Sequence, residues 1–102
     1  MIKVKDQTVN VYGLRPEMLK ILGIVWKIGT EINGFNCQIV ITSAKDGQHM
    51  TGSKHYSGNA IGIRSRDMRN KIGFTRRLKQ EIGKDYDVII EDTHIHIEFD
   101  PK

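Results

Sequence analysis

The last apolar segment of the chain, His94-Ile95-His96-Ile97-Glu98-Phe99, alternates polar and apolar residues without a break. No other feature restricts the fold as much. Successive strand side chains point to opposite faces, so Ile95, Ile97 and Phe99 form a core-facing row while His94, His96 and Glu98 share the other face. A strand of this kind belongs to a sheet with one apolar side, and the rest of the chain must supply the layer that covers it.

That layer is legible in two stretches. From Pro16, the segment LRPEMLKILGIVWKIGTEING repeats apolar residues every three to four positions, with Leu19, Leu22 and Trp26 as the stripe and Met18, Val25 and Ile28 nearby. Pro16 and Glu17 suit a first helical turn, and Gly29 or Gly34 suits its end. Gly23 lowers propensity within the helix, and a small residue there suits close approach of another backbone. The second stretch, MRNKIGFTRRLKQEIG, places Phe74, Leu78 and Ile82 at four-residue spacing, with Gly83 as the stop.

Strands are expected at QIVIT (38–42), IGIR, DYDVII and HIHIEFD, the last two joined tightly through Asp92 and Thr93. The opening IKVKDQTVNVYG suits a short strand pair or an extended lead-in. Between QIVIT and IGIR, the glycine-rich and polar SAKDGQHMTGSKHYSGNA reads as a long surface loop, of a length that small domains keep for binding or catalysis. The expected fold class is α/β (α+β), a small antiparallel sheet packed against two main helices. At 102 residues the chain has room for one core, so residues 1–102 are read as a single domain.

Composition removes several function classes. No apolar run reaches the roughly 18 residues needed to cross a bilayer, and MIKVKDQTV lacks the apolar segment of a secretory signal. The chain is therefore expected to be soluble, in a host cytoplasm, in a virion or facing a cell wall after release. Cys37 is the only cysteine, which excludes an intrachain disulfide and a cysteine-based zinc site and leaves a packed thiol. A net charge of +4 favours anionic partners, nucleic acid and acidic cell-wall polymers alike.

The chemistry-bearing residues cluster late in the chain. His94 and His96 share a strand face, Glu91 lies three residues before His94, and His55 stands in the glycine-rich loop. A zinc hydrolase site needs neutral imidazoles or carboxylates as ligands, an open position for water, and a nearby carboxylate to take the water's proton. His55 and His94 suit the ligands and Glu91 suits the base.

Ser53-Lys54-His55-Tyr56-Ser57-Gly58-Asn59-Ala60-Ile61-Gly62, followed by Glu91-Asp92-Thr93-His94-Ile95-His96, resembles the paired motifs of the D-alanyl-D-alanine carboxypeptidase and L-alanyl-D-glutamate endopeptidase family of zinc peptidases. That family is similar in fold to VanX-type dipeptidases and to the hedgehog signalling domain. Its first motif is Ser-x-His-x-x-Gly-x-Ala-x-Asp, matched by Ser53, His55, Gly58 and Ala60. Its other motif is an acidic residue, two others, then His, often followed by x-His, matched by Glu91, His94 and His96. The resemblance covers roughly residues 14 to 101. The flanking stretches, TSAKDGQH ahead of the His55 motif and EFDP beyond the His94 motif, are similar to those of small phage-borne or bacterial members.

The resemblance implies zinc held by His55 and His94, Glu91 as general base, and hydrolysis of an amide in a peptidoglycan stem peptide, of the D-Ala-D-Ala or L-Ala-D-Glu type. Ser53, in the matched motif, is placed beside the substrate; Arg64 follows Gly62 and alternates away from Ile63, toward the cleft; Tyr56 either frames a substrate groove or buries its ring against the loop. Lys45 is the nearest counterpart of the family's oxyanion-holding arginine, without that residue's bidentate fork. The departure is Gly62, which falls where the family has its aspartate ligand and offers no donor atom. His96, His49 and Asp67 are the candidate substitutes, His96 foremost because it shares the face of His94. Two other readings stand beside the peptidase. One is a non-catalytic member of the same fold that retains a peptidoglycan groove. The other is a nucleic-acid-binding domain resting on Arg64, Arg66, Arg69, Lys71, Arg76 and Arg77; it lacks interleaved aromatics, so no nucleic-acid partner is expected. Trp26 is expected in the core.

Overall fold

Pro16 and Glu17 open the first helix as the sequence suggests. In the computed structural model, which describes residues 2–6, 14–34, 39–43, 59–66 and 68–101, α1 runs Pro16–Asn33. It stops at Gly34, whose φ of 96° few other residues adopt and whose N–H donates to the Thr30 carbonyl at 2.9 Å.

The buried face of α1 is Met18, Ile21, Val25 and Ile28, continued by Leu14 just ahead of the helix, and it lies about a quarter turn from the stripe expected on Leu19, Leu22 and Trp26. Leu19 is 52% exposed and Trp26 43%, so Trp26 is not a core residue. The reason lies at the helix ends. Extended one turn each way, the Met18 stripe meets Leu14 and Ile32, whereas the Leu19 stripe meets Arg15 and Thr30.

Gly23 lies on the exposed side, and a Cβ built there meets nothing within 4 Å. Among the described residues no backbone approaches it closely, contrary to expectation. Gly23→Ala is therefore expected to stabilise the chain by about 0.5–1 kcal/mol through the lower entropy of the unfolded state, read as a higher urea midpoint at unchanged slope.

The second helix, α2 (Lys71–Ile82), is capped at both ends. Asn70 Oδ1 accepts from the Gly73 N–H at 2.9 Å, and Gly83, with φ 81°, closes the helix. A side chain at Gly73 would press into the Asn70 amide as it stands, so the cap side chain would have to shift to admit one. Phe74, Thr75 and Leu78 face inward. Exposed ion pairs of Arg77 with Glu31 and of Lys27 with Glu81 tie α2 to α1, and contribute little at the surface.

The sheet has five strands: β1 (Ile2–Val4), β2 (Ile39–Ser43), β3 (Ala60–Arg64), β4 (Tyr86–Ile90) and β5 (His94–Phe99), in the order β1-β2-β3-β5-β4. Four of them pair antiparallel as expected. β1 instead joins β2 in parallel, Ile2 beside Ile39 and Val4 beside Ile41, so the sheet is mixed. The registers Ile61 with Ile97 and Ile63 with Ile95 align one apolar row across strands, and Ile39, Ile41 and Val88 extend it toward the helices. The small α+β fold, two helices on one face of a sheet, is thus the one anticipated.

Tyr86 closes the core at the β4 end. Its hydroxyl donates to the Glu17 backbone carbonyl at 2.8 Å, and its ring meets Phe99 at 5.2 Å between centroids. Burial, then the negative charges of Glu17 and Asp85, push its pKa above the ordinary 10.0. A tyrosine that holds its proton longer when folded contributes stability that is full below the unfolded value and lost as pH rises through 10 toward the folded value. Tyr86→Phe is expected to flatten that alkaline decline while costing about 1 kcal/mol at neutral pH for the lost hydrogen bond; urea titrations across the alkaline range check both.

Among the described residues, no helix is long and apolar enough to cross a membrane.

Candidate functional site

The polar row of β5 is assembled by two registers. Arg64 of β3 stands opposite His94, Gly62 opposite His96, and Ala60 opposite Glu98. On the other side, Asp87 of β4 stands opposite Glu98 and Ile89 opposite His96. The β4–β5 turn is tight, with the Glu91 N–H donating to the His94 carbonyl at 2.8 Å.

This turn sets His94. Its Nε2 faces the Glu91 carboxylate at 3.5 Å, and its Nδ1 lies 3.3 Å from the Thr93 hydroxyl. The ring therefore has a carboxylate beside one nitrogen and a hydroxyl beside the other. His96 is held differently: its Nε2 lies 3.0 Å from Glu98 Oε1, two residues along the same strand. Each histidine thus has a carboxylate of its own, His94 near the exposed turn and His96 further in.

Beyond the β3 end, the Ser65 N–H donates to the Thr93 carbonyl at 3.2 Å and the Met68 N–H to the Ser65 carbonyl at 3.0 Å. These bonds pin the strand exit against the β4–β5 turn and carry Arg64 and Arg66 to one end of the sheet. Lys5 arrives from the opposite side, its N–H on the Ile41 carbonyl at 3.0 Å just past β1. Lys5, Thr42, Arg64, Arg66, Thr93 and His94 together line a recess of about 360 Å³. Three cations, two hydroxyls and an imidazole around one concavity suit an anionic group.

Of the site positions singled out from sequence, Gly62, Arg64, Glu91, His94 and His96 fall in the described part. The structure brings Arg64, His94 and, through its contact with His94, Glu91 to the same end of the sheet. Gly62 lies on β3 beside His96. Ser53, His55, Tyr56, Lys45, His49, Asp67 and Cys37 lie outside the described residues. Sequence reasoning passed over Lys5, Thr42 and Thr93 as site residues; Arg66 was visible only as one member of a basic cluster. Lys5 carried no local signal, because only the parallel β1–β2 pairing brings it here.

Among the described residues the donor set does not fit the expected zinc. Gly62 supplies nothing where the aspartate would be, and His96, the foremost substitute, is engaged by Glu98. Among the described residues, potential metal ligands come within 4.8 Å of one another as a group of three only at Asp87, Glu98 and Asp100, a set that includes neither histidine.

Comparison with known proteins is consistent with that mismatch. The family described as the Hedgehog amino-terminal signalling domain matches residues 12–98. The Indian hedgehog protein of Xenopus laevis is 42% identical over 53 residues, which is 51% of this chain and 13% of that protein. No solved structure matches the chain. The match falls on the signalling-domain side of the fold resemblance and overturns the peptidase side. The assignment to the zinc D-alanyl-D-alanine carboxypeptidase and L-alanyl-D-glutamate endopeptidase family, the zinc cofactor, the peptidoglycan stem peptide as partner and the phage endolysin setting are all corrected by it. The motif residues misled because a likeness at a few spaced positions does not carry a function with it, and Gly62 already departed from the expected ligand set.

Proposed function

The chain belongs to the hedgehog amino-terminal signalling-domain family, and on that footing we propose that it works by recognition, its cationic recess holding a carboxylate-bearing segment of a partner protein. The observation that carries this reading is the convergence of Lys5, Arg64 and Arg66 with Thr42, Thr93 and His94 on one concavity. Arginine guanidinium groups take carboxylates in two parallel hydrogen bonds, and threonine hydroxyls supply further donors.

The acidic pair Glu91-Asp92 belongs to the turn that carries Thr93 and His94. A long polyanion crossing that turn meets like charge, whereas one or two carboxylates entering the recess do not, which favours an acidic peptide segment over an extended polymer. Glu91 keeps His94 in place and Arg64 is the main anchor, half-buried where Arg66 is exposed. In this reading residues 1–102 act as one domain, and the signalling role in the family's name attaches to this chain as part of the proposal.

A short peptide of alternating glutamate and serine, titrated by fluorescence anisotropy, tests it. Binding that weakens steeply as salt rises, and is absent for the glutamine analogue, is the expected result. Equal binding of both peptides, or of neither, contradicts the reading.

A further inference from the structure

β4 is the outer strand of the sheet, and among the described residues no strand lies beyond it. Its hydrogen bonds to β5 fix which way each residue points. The Glu91 N–H reaches the His94 carbonyl and the Asp100 N–H reaches the Asp85 carbonyl, so Asp85 and Glu91 belong to hydrogen-bonded pairs. Alternation in an antiparallel ladder then turns Asp87 and Ile89 toward β5 as well, and sends the backbone N–H and C=O of Tyr86, Val88 and Ile90 to the open edge. Ile89 and Ile90, 48% and 40% exposed, sit at the end of this edge, and a recess of about 550 Å³ lined by Lys79, Gly83, Lys84 and Tyr86 to Ile89 runs along it. An edge with outward hydrogen-bonding groups and exposed isoleucines is a template for another strand.

We propose that the occupant is β4 of a second copy of this chain, paired antiparallel about a twofold axis through Val88. This goes beyond the cationic recess and does not depend on it. In that register Val88 faces its own equivalent and exchanges both backbone hydrogen bonds with it, and Tyr86 faces Ile90 of the second copy in the next such pair. Tyr86, Val88 and Ile90 lie on the helix side of the sheet, so their side chains continue one apolar strip across the junction and cover Ile90. Beyond the strand ends the same register sets Lys84 against Asp92 of the second copy, an attraction that offsets the like-charge pair beside it. Asp85 faces Glu91 on the other side of the sheet, a like-charge pairing at exposed positions that keeps the contact weak. A strand edge of this length buries less than a standard interface, so the dissociation constant falls in roughly the high-micromolar to millimolar range.

Sedimentation equilibrium from about 10 µM to about 1 mM tests this, with amide exchange measured at both ends of the range. The expected result is a monomer–dimer equilibrium in which the Val88 and Ile90 amides exchange more slowly at high concentration. Ile90→Lys, at a half-exposed edge position, is expected to abolish the dimer while leaving the urea unfolding midpoint nearly unchanged. A chain that stays monomeric throughout, a dimer that survives Ile90→Lys in a folded protein, or protection at amides away from β4 overturns the proposal.

Discussion

Phe74→Ala is expected to cost about 3–5 kcal/mol, the largest single-residue loss of stability among the changes considered. Phe74 is fully buried, one turn into α2, within the cluster that joins Met18, Ile21 and Val25 of α1 to Ile61, Ile63, Ile95 and Ile97 of the sheet. Removing its ring leaves a cavity between three elements that are fixed by their own hydrogen bonds, so collapse recovers little. A chain of this size has roughly 5–15 kcal/mol in total, and the variant is expected to lie near the unfolding threshold at room temperature. Urea unfolding followed by circular dichroism checks it. Ile72→Ala, at a residue 61% exposed on the same helix, is the control and is expected to shift stability by less than about 0.5 kcal/mol. A small effect at Phe74 contradicts the packing described.

The second large effect belongs to the cationic recess. Arg64→Ala combined with Arg66→Ala is expected to weaken the acidic peptide by at least roughly a hundredfold, since each hydrogen-bonded charge contributes on the order of 1.5–3 kcal/mol. Stability is expected to change little, because Arg66 is exposed and Arg64 only half-buried at a strand end. Lysine replacements separate charge from geometry. Arg64→Lys keeps the charge without the planar fork, and an intermediate loss shows that bidentate contact contributes. A double variant that binds as the parent does places the ligand elsewhere.

The elements were legible where local pattern and tertiary demand agree. β5 was readable because strict alternation has one solution, and α2 because its apolar spacing ends at a glycine that the left-handed region requires. The phase of α1 was not, since two apolar stripes compete on that helix and the one that can be continued through Leu14 and Ile32 faces the sheet. The parallel pairing of β1 was also hidden: three residues of strand carry almost no periodicity, and their direction is set by a partner far along the chain. That pairing brings Lys5 to Arg64, so half of the recess was invisible before the fold was known. Glu91 and His94 were found for a chemistry that the family does not support, and their geometry is that of an orienting pair, a carboxylate facing an imidazole beside the recess. Gly62 was the departure from the peptidase motif that the sequence displayed, and the match of the residues around it outweighed that signal.

Backbone amide shifts of the isotope-labelled chain, followed as the glutamate–serine peptide is added, test the central claim most directly. The account predicts shifts concentrated at Lys5, Thr42, Arg64, Arg66, Thr93 and His94, absent for the glutamine analogue and absent in the double arginine variant, with the β4 edge undisturbed. Shifts that gather on another surface, or a spectrum that the peptide leaves unchanged at millimolar concentration, would contradict it.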